Sequence, residues 1–171
     1  MSWAPEVHHF RVIWPGQRAG EGTRTLGGFE RAHEAHHLPV TPQRTRAITF
    51  DRESGYQATR ELLACGQKFT AIFAATDVVA SGVLVALREA GLRIPEDVSV
   101  VGYDDIPLAR DLTPELTTVH VDHEELGRTA VRYALNRDRH AMSQHTVIGT
   151  HVVIRNSTGP APEPARMHSR K

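Results

Sequence analysis

Thr70-Ala71-Ile72-Phe73-Ala74-Ala75-Thr76-Asp77, the helical run from Val78 to Gly91, and then Val98-Ser99-Val100-Val101-Gly102-Tyr103-Asp104-Asp105 are the stretch that decides the fold. Ala71 to Ala75 is a short, unbroken apolar run, the pattern of a strand covered on both faces, as strands of parallel sheets are. Thr76 or Asp77 then caps a helix that turns Val79, Val83, Ala86, Leu87 and Ala90 inward, and Gly91 closes it. After the Ile94-Pro95-Glu96-Asp97 turn, a second apolar strand from Val98 to Gly102 ends at the acidic stop Tyr103-Asp104-Asp105. The two strands frame a complete crossover between parallel neighbours.

The same alternation extends in both directions. Upstream, a strand from Phe10 to Trp14 leads through Pro15 and Gly16 into a helix with Leu26, Phe29 and Ala32 at helical spacing, stopped at Leu38-Pro39. A strand from Ala47 to Phe50 follows. Ser54 and Gln57 then read as a capping box opening a helix that presents Tyr56, Leu62 and Leu63 and ends at Gly66. Downstream, a strand from Thr117 to Val121 precedes a second capping box, Asp122 to Glu125, a helix through Leu126, Ala130, Val131 and Leu135, and a last strand from Val147 to Ile154. Four βα units and a final strand predict an α/β fold around a parallel sheet. Residues 1–155 are expected to form one unit. The Pro-rich stretch from Asn156 through Pro164 and the polar, basic end predict a frayed tail over residues 156–171.

Composition narrows the function. The 171 residues hold 40% hydrophobic and 23% charged residues, the balance of a folded soluble domain. A formal net charge of +0 removes the broad positive field that gripping phosphates requires, so any DNA role is expected to be indirect. No basic stretch followed by an apolar run opens the chain, and no segment reaches the length of a membrane span, which predicts a cytoplasmic location without membrane contact. Cys65 is the single cysteine and, after Leu62-Leu63-Ala64, is expected to be a buried helical thiol.

Ligands of an open parallel sheet bind outside the carboxyl ends of its strands, where helix N-termini and loop backbones converge. Those positions hold Pro15 and Gly16, Phe50 and Asp51, Thr76 and Asp77, and Tyr103, Asp104 and Asp105. Carboxylates accept hydrogen bonds from paired hydroxyls and an aromatic face covers the C–H side of a sugar ring, so the set suits a neutral, hydroxylated small molecule. Asp51 and Asp77 are equally at home as helix caps. Asp104 and Asp105 are adjacent and point apart; Asp104 is assigned to the ligand side and Asp105 to tying down the loop before Pro107.

Several ordered motifs carry a family likeness: Thr70 to Asp77 with Gly82 and Ala86-Leu87-Arg88-Glu89-Ala90-Gly91, Ile94 to Pro107, Pro114-Glu115-Leu116-Thr117-Thr118-Val119, Glu125-Leu126-Gly127, and Arg155-Asn156-Ser157-Thr158-Gly159. From about Gly27 to Gly159 the chain resembles the effector domain of the lactose-repressor (LacI/GalR) family of bacterial transcription regulators. The resemblance implies a three-layer, parallel-sheet subdomain of a type I periplasmic-binding-protein-like fold, one half of a clamshell that closes on an effector and passes the closure to a helix-turn-helix on DNA. The motifs match the C-terminal subdomain and a crossing helix near Glu125 to Leu135, with no counterpart for the helix-turn-helix. DNA is therefore expected as a partner only through a domain absent from this chain, and a homodimer is expected. By the same resemblance Phe50 stacks on the effector, Asp104 takes its hydroxyls, and Thr76 and Asp77 stand in the family's Ala-Asn-Asp motif, with Tyr103 beside them. Thr76 replaces an amide by a hydroxyl, which shortens its reach. The family's arginine before the Gly-Phe pair maps to Thr23 and Thr25, with Arg24 between them, so Arg24 is rotated by about 100° from the family position. His123 falls where relatives close over the ligand.

Rival readings have less behind them. His33-Glu34-Ala35-His36-His37 matches the H-E-x-x-H zinc pattern, but Leu38-Pro39 ends the helix at once and no third ligand stands nearby, which predicts a polar helix end. A Mg²⁺-dependent phosphoryl-transfer enzyme built on the strand-end aspartates lacks a strand-end lysine, since the lysines are Lys68 and Lys171. No nucleophile elbow or phosphate-cradling loop is present. No catalytic residue, metal or cofactor is therefore expected. A transport solute-binding protein shares the clamshell but requires export. The helix Val78 to Ala90 with the strand Thr117 to Val121 also reads as a self-pairing surface.

Overall fold

The structure, a computed structural model, describes residues 10–15, 22–37, 45–66, 69–135 and 146–160. In chain order these form β1 (Phe10–Pro15), α1 (Gly22–Ala35), β2 (Thr45–Ile48), α2 (Arg52–Ala64), β3 (Ala71–Ala74), α3 (Asp77–Glu89), β4 (Ser99–Asp104), α4 (Leu108–Asp111), β5 (Thr117–Val121), α5 (His123–Leu135) and β6 (Thr150–Val153). One sheet takes all the strands, in the order β2-β1-β3-β4-β5-β6. β1 to β5 are parallel, as the alternation predicts. β6 departs from that reading: it is shorter than expected and runs antiparallel to β5. An antiparallel edge strand on a parallel sheet is common, and the sheet side of β6 is satisfied while its outer residues His151 and Val152 stay exposed.

The order reverses between β1 and β3. β2 lies on one side of β1, and β3, β4 and β5 follow on the other. Right-handed crossovers then put α1 on one face and α2, α3 and α4 on the opposite face, giving three layers. α3 packs on β3 and β4 and lies alongside α2, which packs on β2. Val79, Ala80, Val83, Leu84 and Leu87 of α3 meet Ile72, Ala74 and Val100 of the strands and Ala58 and Leu62 of α2 in one core. The two helices touch backbone to backbone. A Cβ on Gly82 would lie 2.0 Å from the carbonyl oxygen of Arg52, and one on Gly55 would lie 2.4 Å from that of Val79.

Of the helix expected from Val78 to Ala90, Val79, Val83, Ala86 and Leu87 lie in the domain's own core, while Val78 and Val85 are half-buried. Cys65 is exposed rather than buried. It is the C-cap of α2, where the helix ends and its side chain turns outward within reach of Arg46, whose Nη2 lies 3.4 Å from Sγ. Asp51, not Ser54, caps α2: its carboxylate accepts the Ser54 N–H at 2.7 Å, so the helix opens at Arg52. Among the residues of α1 whose side chains are described, His33 is the buried one and Ala32 is exposed.

The expected fraying from Asn156 does not begin there. Ser157 is fully buried: its Oγ accepts the Thr117 N–H and donates to the Val100 carbonyl, and its own carbonyl accepts the Val100 N–H at 2.8 Å. The Asn156 N–H reaches the Glu115 carbonyl at 3.0 Å. Residues 156–159 thus fill the gap at the amino ends of β4 and β5, and the Pro-rich composition misled because satisfied backbone groups offset the ordering cost. Residues 161–171 of the expected tail lie outside the described residues.

Candidate functional site at the carboxyl edge of the sheet

Because β1 to β5 are parallel, all their carboxyl ends open on one edge, and each loop there delivers a side chain at a helix start. Phe50 follows β2 and is 57% exposed, an unusually open position for a large aromatic. Beside it Asp51 is pinned by hydrogen bonds from the Thr49 hydroxyl and the Ser54 N–H, which hold its carboxyl below the usual carboxylate range. At the end of β3, Thr76 caps α3, its Oγ1 accepting the Val79 N–H at 3.2 Å.

Asp77 is where the structure differs most from a ligand-facing reading. It is 0% exposed, with Oδ2 accepting the Ile106 N–H at 2.9 Å and Oδ1 accepting the Thr118 hydroxyl at 2.6 Å. Gly102 makes room for it, since a Cβ there would lie 2.3 Å from Oδ1. Burial pushes the Asp77 carboxyl up, partly offset by those two hydrogen bonds. Its two oxygens tie β3, β5 and the loop after β4 together directly beneath the edge.

At the end of β4 two successive residues take left-handed backbone, Asp104 at φ 108 and Asp105 at φ 56, and the carboxylates part as expected. Asp105 turns inward, 6% exposed, to an ion pair with Arg155 at 2.5 Å and a contact with His120 Nδ1 at 3.0 Å. Burial alone would raise its carboxyl, but the hydrogen bonds from Arg155 and His120 outweigh it and hold it below the usual range. Asp104 is half-buried, and among the described residues no hydrogen-bond donor meets it. Burial and the nearby Asp77 charge raise its carboxyl, while His123 at the start of α5 pulls the other way. Tyr103 is half-buried and, by strand alternation, leaves the sheet on the face opposite Gly102, away from Asp77.

Thr23 and Arg24 lie in the first turn of α1, after β1 and so at the same edge; their side chains are outside the described residues. Phe50, Thr76 and Asp104 are therefore brought to one edge, and Asp77 supports them from below. Sequence reasoning missed Arg155, His120 and Thr118. Each acts through a partner at least 15 residues away in sequence; the Arg155-to-Gly159 and Pro114-to-Val119 motifs held Arg155 and Thr118 but gave no role for them, and His120 lay in neither. Among the described residues no group of three or more His, Cys, Asp or Glu is arranged to hold a metal ion.

An open, doubly wound sheet that brings an exposed aromatic, and a carboxylate no donor among the described residues meets, to its carboxyl edge has the architecture of α/β domains that bind small molecules there. Residues 6–158 match the periplasmic binding protein-like domain. The chain belongs to that family, as the effector-binding domain of LacI-type regulators. The HTH-type transcriptional repressor PurR of Salmonella arizonae is 38% identical over 143 residues, covering 82% of this chain and 42% of that protein. Among solved structures, the transcriptional regulator CelR in complex with cellobiose matches at a TM-score of 0.81 and 32% identity, over 88% of this chain and 46% of that one. The Lac repressor dimer bound to operator and the anti-inducer ONPF matches at a TM-score of 0.80 and 29% identity, over 87% and 45%. The chain thus spans less than half the length of each.

Proposed function

We propose that this chain is the sensing half of a bacterial transcription regulator, binding a hydroxylated small molecule, a carbohydrate or nucleoside-like compound, between Phe50 and Asp104. Asp104 carries the reading. A half-buried carboxylate without a donor among the described residues is a costly arrangement in an unliganded fold, and a ligand hydroxyl or N–H supplies what it lacks. Phe50 offers the flat apolar face that such a ligand needs on its other side. Thr76 adds a short hydroxyl, reaching the ligand directly or through water. The cellobiose of the CelR complex is consistent with a carbohydrate.

The domain acts as one jaw of a clamshell and not as an enzyme. α5 supports this: Leu126, Val131, Tyr133 and Leu135 are exposed on it, and α5 packs extensively on no described element. A second jaw would cover that surface. DNA is reached only through a separate helix-turn-helix domain, in the cytoplasm, and regulators of this kind work as homodimers, as the operator-bound Lac repressor does. The effector shifts the open and closed states only as far as it binds one of them better.

A thermal-shift screen against sugars, nucleosides and sugar phosphates tests the proposal, since a ligand that binds the folded state raises the Tm by mass action. A hydroxylated compound is expected to stabilise the protein, and Phe50→Ala and Asp104→Ala are each expected to abolish the shift. A hit that both variants retain would place the ligand elsewhere.

A further inference from the structure

β5 and β6 carry histidines directly opposite each other: His120 pairs with His151 in the antiparallel register. Directly opposed residues project from the same face, and the two rings lie with centroids 4.9 Å apart, tilted by 42°. Behind His120, Asp105 sits 3.0 Å from Nδ1, and Arg155 in turn grips Asp105. An ionised carboxylate can only accept, so the imidazole proton sits on Nδ1 and the Nε2 lone pair is left free to bind. A carboxylate holding the tautomer of an imidazole in this way is the outer-shell arrangement found behind metal-ligating histidines.

We propose that His120 and His151 form a binding site for a divalent transition ion such as Zn²⁺, with Asp105 and Arg155 as its outer shell and water in the remaining positions. The spacing fits. Two imidazoles sharing one ion at metal–nitrogen bonds of about 2.0–2.1 Å keep their ring centres roughly 4.5–5.2 Å apart, for ligand angles between a right angle and the tetrahedral value. Access fits as well: His151 is exposed and the His120 side chain is 36% exposed, whereas Asp105 and Arg155 behind them are nearly enclosed. With borderline-soft nitrogen ligands and no carboxylate in the inner shell, the site selects Zn²⁺, Cu²⁺ or Ni²⁺ over Mg²⁺ or Ca²⁺. A bound ion would staple β6 to β5, the strand that leads into α5.

Isothermal titration of the full chain with ZnCl₂ tests this, compared across variants because eleven histidines provide other places for weak binding. His120→Ala and His151→Ala are each expected to remove one equivalent of bound Zn²⁺, and the double variant no more than either single. In proton–nitrogen NMR of the imidazoles, Zn²⁺ should shift the His120 Nε2 resonance together with one ring-nitrogen resonance of His151, while His120 keeps its Nδ1 proton. His151 is on an exposed edge strand, so His151→Ala retains the fold and its titration is decisive. Unchanged stoichiometry in that variant, or additive losses in the double variant, would overturn the proposal.

Discussion

Replacing Gly82 by alanine should destabilise this protein even though alanine is the better helix former. In an unencumbered helix the exchange gains about 1 kcal/mol. Here the new Cβ would stand 2.0 Å from the Arg52 carbonyl oxygen and 2.8 Å from the Tyr56 nitrogen, both backbone atoms that no rotamer change can move. Reaching ordinary contact at 3.4 Å requires α2 and α3 to separate by about 1.4 Å, loosening Leu62, Val79 and Val83 in the core. Overpacking of this kind costs roughly 1–3 kcal/mol, and a clash with backbone belongs at the top of that range, leaving a net loss of about 2 kcal/mol. For a domain of this size the Tm falls by about 4–8 °C. Gly28→Ala is the control: it lies within α1 with nothing near its Cβ position, so the propensity gain should stand and raise the Tm by about 2–4 °C. Paired thermal melts read both. The close approach of α2 and α3 would be refuted if both substitutions raised the Tm. Effector affinity should also fall in Gly82→Ala, because α2 and α3 carry Phe50 and Thr76 at their starts.

Other expectations follow from the charged residues and the core. Asp104→Asn should raise the Tm at neutral pH while abolishing any effector shift. Burial raises the carboxyl from its ordinary 3.8, so the folded state carries a cost above that raised value which fades as pH falls toward 3.8; the gain should therefore vanish in acid melts. Arg155→Ala should cost about 3–5 kcal/mol, because it leaves Asp105 enclosed without its cation. Since the Asp105 carboxyl is lowered, its contribution is present above 3.8 and lost as pH falls through the lowered value, so wild type and variant melts should converge in acid. Leu84→Ala removes a fully buried side chain between α3 and the sheet and should cost about 2–5 kcal/mol by urea denaturation.

Local patterning carried the reading where the determinant was itself local. The apolar run at Ala71 to Ala75, the caps at Thr76 and Asp122, and the bounds of β5 all depend on neighbours within a few residues, and the structure agrees with them. Adjacent residues at a strand end diverge, and Asp105 does turn inward to Arg155 and His120, while no hydrogen-bond donor among the described residues meets Asp104. Legibility ended where distant segments meet. Nothing around Asp77 says that Thr118, 41 residues on, will occupy one of its oxygens. Nothing in Ser157-Thr158-Gly159-Pro160 says that a Pro-rich stretch will be fed into the sheet. Cys65 was misread because an apolar run in a helix fixes the helix but not which residue falls past its last turn.

The docking of Ser157 between Val100 and Thr117 has a consequence for how the protein is made. A ribosome releases β4 and β5 well before residue 157 emerges, so until then the Thr117 amide and the Val100 carbonyl have only solvent for company. Native structure at that junction becomes available only when synthesis of the domain is nearly done. A nascent chain stalled shortly before this point should present the β4–β5 seam to proteases and chaperones, whereas one extended past Gly159 should not.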